Sequence, residues 1–318
     1  MQVSFVISSQ SDLERLKKTV GSILNQKNKS FEIIILFDSK VDAEKKEYLN
    51  ELFEQNQNII ISENNKVQDT TQHWNISKLL ASGKYMVFVK EGDDIFENFV
   101  DEIEKISNEH NPDMIQFDLE YYGLLEETST KTLLQTNRLY DLENEKEVFA
   151  YIRRIIYSKA FKTQICKENR ISFRPKVRFD SLFTFEFLKH SKTFFATDKV
   201  LTKHKVLVMR YSAFDIINQW PHIMNYFRSI GEYKQIADEL HYAYYYELCY
   251  NFINLVRLFD DDVLYRNVLN KCKWKAKKDK IDKFIRVNKI FLQNSDPTFT
   301  ERVHKFNEYV DSELNKLK

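Results

Sequence analysis

Through the first two hundred residues, short β-branched runs alternate with stretches of helical period, the pattern of a parallel sheet covered by helices. Residues 3–8 read as the opening strand. Ser11 and Glu14 have the spacing of a capping box, and Leu13, Leu16, Val20, Ile23 and Leu24 then recur on one face, predicting a helix that ends near Gln26. The apolar runs 31–37 and 58–62 predict strands buried on both faces, with Asp38 at the carboxyl end of the first. A helix over about 70–81 stops at Gly83, read as a left-handed cap, and a strand over 85–89 leads into the charged loop KEGDD. Next come a helix over 97–109, a strand over 114–121 with one solvated face, and a helical stretch from about 143 to 167. An irregular segment over 171–177, a helix over 179–190 and a short strand over 192–200 complete this part. Beyond about 206 the strand pattern stops, and aromatic and charged residues alternate in helical windows such as 233–259 and 282–292. The reading is an α/β domain over 1–208 with a helical carboxyl-terminal region over 209–318; the boundary rests on the change of period, since no repeat or linker marks it.

With 318 residues, 43% of them hydrophobic and 30% charged, the chain can bury a substantial core, which excludes disorder. Forty-eight Lys and Arg stand against forty-seven Asp and Glu, so no global field attracts nucleic acid, and no nucleic-acid partner is expected. Only five Gly and four Pro occur, against the glycine-rich phosphate loops of Walker or dinucleotide-binding proteins. Cys166, Cys249 and Cys272 are widely spaced and odd in number, which suits a reducing compartment better than a disulfide framework. The opening MQVSFVISSQSD lacks the basic flank and apolar length of a signal peptide, and no run of eighteen uncharged apolar residues occurs. A cytoplasmic protein, soluble or peripherally attached, is the expectation.

Taken in order, these elements and their motifs resemble family-two glycosyltransferases of the GT-A fold over roughly residues 1–206. The family's opening strand reads like VSVIIPTYN; here VSFVISSQS keeps the strand and lacks the proline, tyrosine and asparagine. Against VDDGSTD, the segment LFDSKVD preserves Asp38 and Asp42. Against ARNxGIxxAxGxYIxFLD, the segment HWNISKLLASGKYMVFVK keeps Asn75, Ala81, Gly83, Tyr85 and Phe88, with Trp74 in place of the arginine. The resemblance implies a nucleotide-diphospho-sugar transferase with a Rossmann-like, mostly parallel sheet, whose ligands bind outside the carboxyl ends of the strands.

It also implies a site. Asp38 would accept hydrogen bonds from the base or ribose of a nucleotide-sugar donor, with Ser9 lining the same pocket, although strand-end aspartates also serve as caps and turn formers. Trp74 would stack on a base or sugar face, or simply pack, and packing is preferred. The family's metal loop often reads FLDSDD, and FVKEGDD overlays it in two ways. The preferred alignment makes Glu91, Asp93 and Asp94 ligands of Mg²⁺ or Mn²⁺, which would neutralise the departing diphosphate. The alternative is an acidic turn that binds nothing, leaving Lys90 to neutralise phosphate or the protein inactive. Asp180, aligned with the aspartate of the family's ED pair, would be the general base that deprotonates the acceptor hydroxyl, or a helix cap, or both. Arg154 and Lys159 could touch phosphate, though solvated helix charges are the commoner explanation, and His204 stands where the family contacts the diphosphate.

Residues 271–289 carry nine Lys/Arg and two Asp, interleaved with Trp274, Ile281, Phe284 and Ile285. Such a stretch suits an anionic membrane surface or an anionic polymer acceptor, and equally a solvated helix face. Tyr242, Tyr244, Tyr245, Tyr246 and Tyr250 cover more than one helix face, predicting that some rings pack against another domain or a second copy in a homo-oligomer. The leading expectation is inverting sugar transfer from a nucleotide-sugar donor to a glycan, lipid-linked or cell-envelope acceptor. The rivals are a non-catalytic GT-A-like protein that binds a glycan or partner enzyme, and a nucleotidyltransferase, which would need a glycine-rich basic loop that residues 8–11 lack.

Overall fold

The computed structural model describes residues 1–10, 12–66, 68–129, 132–176 and 181–317. The chain divides into two compact units: Met1–Thr130, Gln135–Leu142 and Arg153–Val206 form the first, and Lys131–Leu134, Glu143–Ile152 and Leu207–Lys318 the second.

The first unit is built on β1 (Val3–Ser9), β2 (Phe31–Asp38), β3 (Ile59–Asn64), β4 (Tyr85–Val89), β5 (Asp94–Ile95), β6 (Met114–Gly123), β7 (Arg138–Asp141), β8 (Lys159–Lys162) and β9 (Thr193–Val206). They lie in the order β3-β2-β1-β4-β8-β6-β9-β5, with β7 paired to β9. The β3-β2-β1-β4 half is parallel, β6 runs parallel to β9, and β8 is antiparallel to both β4 and β6. Every residue of β1 is buried, as expected of a strand covered on both faces. Phe5 and Ile7 of β1 and Ile33 and Ile35 of β2 join one core with Leu16, Val20 and Ile23 of α1 (Leu13–Leu24), Leu49 and Leu52 of α2 (Ala43–Gln55), and Phe99 and Ile103 of α4 (Phe99–His110). Each such side chain contributes about 1.5–3 kcal/mol on burial. Phe88, on alternate residues of β4, instead meets Trp74 of α3 (Thr70–Leu80), Phe173, and Phe183 of α7 (Ser181–His190) at ring-centroid distances of 5.5, 5.1 and 5.7 Å.

Several expectations are corrected. Residues 143–167 are not one helix: α5 (Glu147–Tyr151) stops at Ile152, a 3₁₀ turn follows at Ile156–Ser158, then come β8 and α6 (Thr163–Glu168). Pairing β8 between two strands satisfies backbone groups that helical propensity alone does not register. The last strand of the unit reaches Val206 instead of ending near 200, and the sequence reading did not single out α2, β5 or β7. At the start of α1, Asp12 is the cap, accepting from the Arg15 backbone N–H at 2.9 Å; Ser11 lies outside the described residues. Gly83 is not a left-handed cap. A Cβ there would lie 2.7 Å from the backbone nitrogen and Oγ of Ser4 and from the carbonyl carbon of Val3. Its N–H donates to Ser4 Oγ at 2.8 Å and to Glu32 Oε1 at 3.1 Å. Burial pushes the Glu32 carboxyl up, but hydrogen bonds from Ser4, Ser82 and Gly83 outweigh it and hold the group below its usual range.

The second unit is helical, with longer helices at Trp220–Ser229, Ala237–Tyr246, Asp262–Lys278, Pro297–His304 and Phe306–Lys316. The window 233–259 is broken by a π-turn at Glu247–Asn251. Tyr242 packs on Tyr151 and Phe299, Tyr244 on Trp220, and Tyr245 on Phe284, so each of these three rings has an aromatic partner inside the unit. Among the described residues no helix is long and apolar enough to cross a membrane.

Two glycine substitutions should move stability in opposite directions. Gly83→Ala meets backbone atoms that cannot withdraw and should lower the unfolding free energy from urea titration by about 1–3 kcal/mol or more. Gly21→Ala adds a Cβ with nothing within 4 Å inside α1 and should raise it by about 0.5–1 kcal/mol. Equal effects would show that the close approach at Gly83 is absent.

Candidate active site

Adjacent strands β1, β2 and β4 end at one edge of the sheet, and the chain beyond them carries the polar residues singled out above. Asp38 closes β2. Its Oδ1 lies 3.0 Å from Nε2 of the wholly buried His73, and both carboxylate oxygens accept from the Gln68 N–H at 3.1 Å. The other ring nitrogen of His73 lies 2.8 Å from Ser8 Oγ. A carboxylate only accepts, so Nε2 is the donor towards Asp38. The Asp38 side chain keeps 13% of its surface exposed, leaving it a partly open edge.

The loop after β4 is held from both sides. Glu91 accepts from Ser9 Oγ at 2.8 Å and from the Gln10 N–H at 2.9 Å, and pairs with the buried Lys45 ammonium at 3.5 Å. Ser9, expected to line a pocket, is instead buried and committed to Glu91. Asp93, 2% exposed, meets His204 Nδ1 at 2.8 Å and accepts from the backbone N–H groups of Lys205 at 3.1 Å and Lys90 at 3.3 Å. Between them Gly92 adopts a φ of +97°, which favours glycine. Its N–H donates to Thr19 Oγ1 at 2.9 Å, and its carbonyl accepts from the Tyr122 hydroxyl. Asp94 opens β5, its backbone paired with Lys203. The three carboxylates expected to hold a divalent ion therefore share a loop but not a focus: Glu91 and Asp93 are turned to separate sets of protein donors. Among the described residues no group of three or more His, Cys, Asp or Glu converges as a metal site. As arranged, this loop does not fit a divalent ion.

Beside Asp93, the His204 ring stacks on Tyr157 at 4.8 Å, and Tyr157 meets the edge of Trp74 at 6.1 Å. Trp74 is 4% exposed, 4.8 Å from Phe173, and its indole N–H is buried without a partner among the described residues. Asn75 exchanges two 2.8 Å hydrogen bonds with the backbone of Phe173. Lys78 reaches the Ile171 carbonyl, and Asp69, the α3 cap, accepts from the Lys176 N–H at 2.5 Å. Residues 171–176 are thereby pinned along α3. Asp180, the expected base, lies outside the described residues.

Lys159 is neither a solvated helix charge nor a phosphate contact. It is wholly buried in β8, donates to the Ile155 carbonyl at 2.7 Å, and is pushed well below the usual lysine range by burial, with Arg153 and Arg154 adding to the effect. Arg154 is partly buried. The sequence reading missed His73, Tyr157 and Tyr122; the only signal for His73 is that, three residues into a helix after the capping Asp69, it lies next to Trp74.

An open parallel half-sheet, an aspartate ending its second strand and an acidic loop after its fourth match what the resemblance to GT-A nucleotide-sugar transferases implies, with the polar residues at the carboxyl ends of the strands where such sheets take ligands. Residues 4–161 match Glycosyl transferase family 2, so this stretch of the chain is a domain of that family. It is 25% identical over 202 residues to TarP of Staphylococcus aureus strain N315, a poly(ribitol-phosphate) β-N-acetylglucosaminyltransferase; the match spans 61% of this chain and 59% of that protein. Residues 1–349 of S. aureus TarS, solved with UDP-GlcNAc, superpose with a TM-score of 0.68 at 14% identity, over 97% of this chain and 92% of that one. A mannosyltransferase from Pyrobaculum calidifontis, solved with GDP-Man and Mn²⁺, gives a TM-score of 0.53 at 12% identity, over 97% and 87%.

The buried lysine makes a prediction with a definite sign. Its folded pKa lies below the unfolded value near 10.5, so over that window the unfolded chain holds the extra proton and stability rises with pH. Lys159→Met should raise the thermal midpoint at pH 7 and flatten its rise towards pH 10. A variant less stable than the parent at pH 7 would show that the charged lysine is favourably paired.

Proposed function

We propose that this protein transfers a sugar from a uridine-diphosphate donor to a cell-envelope polymer, with inversion at the transferred carbon. One observation carries the reading: Asp38, held by His73 and Gln68, and the Gly92–Asp93 turn lie at the carboxyl ends of β2 and β4, the two strands that flank β1, where open α/β sheets bind ligands. The likeness to TarP and TarS supports a donor such as UDP-GlcNAc and a phosphodiester polymer as acceptor. Chemistry is assigned to residues 1–208, with 209–318 as a helical region whose basic stretch 271–289 would face an anionic acceptor or the membrane. The reaction is placed in the cytoplasm, which suits three buried free cysteines.

In this reading the acceptor hydroxyl attacks the sugar carbon while Asp180 takes its proton, the bond to the donor phosphate breaks, and the nucleoside diphosphate leaves. Asp38 accepts from the donor's base or ribose. Ser9 acts through Glu91, holding the acidic loop, and Trp74 packs behind the site, where its unpartnered indole N–H is its link to a ligand. His204, fixed by Asp93 and Tyr157, faces the diphosphate. A Mg²⁺ or Mn²⁺ ion at residues 91–94 would require Asp93 to release protein donors. The same saturated loop favours, as the second reading, a non-catalytic GT-A-like protein that binds a glycan or partner enzyme.

Calorimetry with UDP separates the two. Asp38→Ala should weaken UDP at least about tenfold. Absence of UDP binding to the parent chain, with or without Mn²⁺, would instead favour the non-catalytic reading. Asp180→Asn should keep UDP affinity and abolish transfer; full turnover by that variant would remove Asp180 as the base.

A further inference from the structure

Near the end of β6, the Tyr122 ring gathers three ammonium groups. Lys18 Nζ lies 4.6 Å from the ring centroid, and those of Lys203 and Lys205 lie 5.8 Å from it. Lys18 also donates to the Tyr122 hydroxyl at 3.2 Å. Arg15 adjoins the cluster: a Cβ added at Gly92 would lie 3.8 Å from Arg15 Cδ and 3.6 Å from Lys205 Cδ. Two surface carboxylates answer part of this charge, Asp12 on Arg15 at 3.0 Å and Glu120 on Lys203 at 3.8 Å. Among the described residues, neither Lys18 nor Lys205 has a carboxylate partner.

An aromatic face attracts ammonium groups but does not neutralise them, so three like charges around one ring repel one another until an anion sits among them. The cluster is built into the acidic loop. Tyr122 donates to the Gly92 carbonyl, the Lys205 N–H donates to Asp93, and Lys90 Nζ donates to the Lys205 carbonyl at 3.0 Å. Lysines presented as mobile point charges suit phosphate oxygens, which accept from several directions. The geometry points to an anion subsite at Lys18, Lys203 and Lys205 around Tyr122 that takes a phosphate group of the transfer reaction, either the donor's diphosphate or a phosphodiester of the acceptor. This inference rests on the transferase reading. It also supplies cationic charge next to a loop whose own carboxylates do not converge on a metal.

The test is calorimetry on the full chain and on K18Q/K205Q, with UDP and, separately, a short synthetic glycerol-phosphate oligomer, at low and high salt. The double variant should lose about tenfold in affinity for at least one ligand at low salt, the loss shrinking at high salt as screening grows. A loss confined to UDP assigns the cluster to the donor diphosphate, and a loss confined to the oligomer assigns it to the acceptor. Affinities within twofold of the parent for both ligands would overturn the subsite. Lys18→Glu alone, on an exposed helix position, should produce a salt-sensitive loss for the same ligand; indifference to this reversal would also count against it. A parent chain that binds the oligomer but no UDP would break the transferase reading while leaving the subsite measurable.

Discussion

Two buried carboxylates, two residues apart, fix the loop after β4 between β1 and β9. Glu91 binds the end of β1 through Ser9 and Gln10 and helix α2 through Lys45, while Asp93 binds β9 through His204 and the Lys205 N–H. A carboxylate taken out of water is costly unless donors replace its hydration, and each of these has three. The left-handed Gly92 lets consecutive segments of the loop turn to these opposite partners. Ser9, Gln10, His204 and Lys205 take their positions from that loop, and Tyr122 and Thr19 hold it from the α1 side. Donors already in place around both carboxylates make this a rigid framework more than a cage for an ion.

The neighbouring strand end is organised on the same principle at a different depth. Asp38 remains partly exposed, but its orientation is set by a histidine with no exposure, which Ser8 holds in turn. At the opposite end of the half-sheet, Glu32 gathers Ser4, Ser82 and Gly83, so that the turn before β4 enters in register with β1. Buried acid groups at both ends thus align three adjacent strands whose middles are purely apolar.

The parallel half was legible because strands buried on two faces are continuous apolar runs, and residues 31–37 and 85–89 are such runs. Asp38 was legible because it ends one of them. The strand Lys159–Lys162 was not, since four residues with two lysines carry no strand period and are made a strand by pairing with β4 and β6. Gly83 stood out as a motif residue, but its reason, contact with the β1 backbone, depends on a neighbour eighty residues earlier. The same holds for the site: acidic residues at 91, 93 and 94 suggest a metal loop in one dimension, and only their partners at Ser9, Lys45 and His204 show otherwise. His73 and Tyr122 gain their importance wholly from contacts far apart in the chain.

The most direct test of the central claim, that the ends of β1, β2 and β4 form one nucleotide-sugar crevice, is amide hydrogen exchange with and without UDP-GlcNAc. The account predicts slowed exchange in peptides covering residues 8–10, 38–39, 68–76 and 90–94 together. Protection confined to the helical second unit, or none at a saturating concentration, would contradict it.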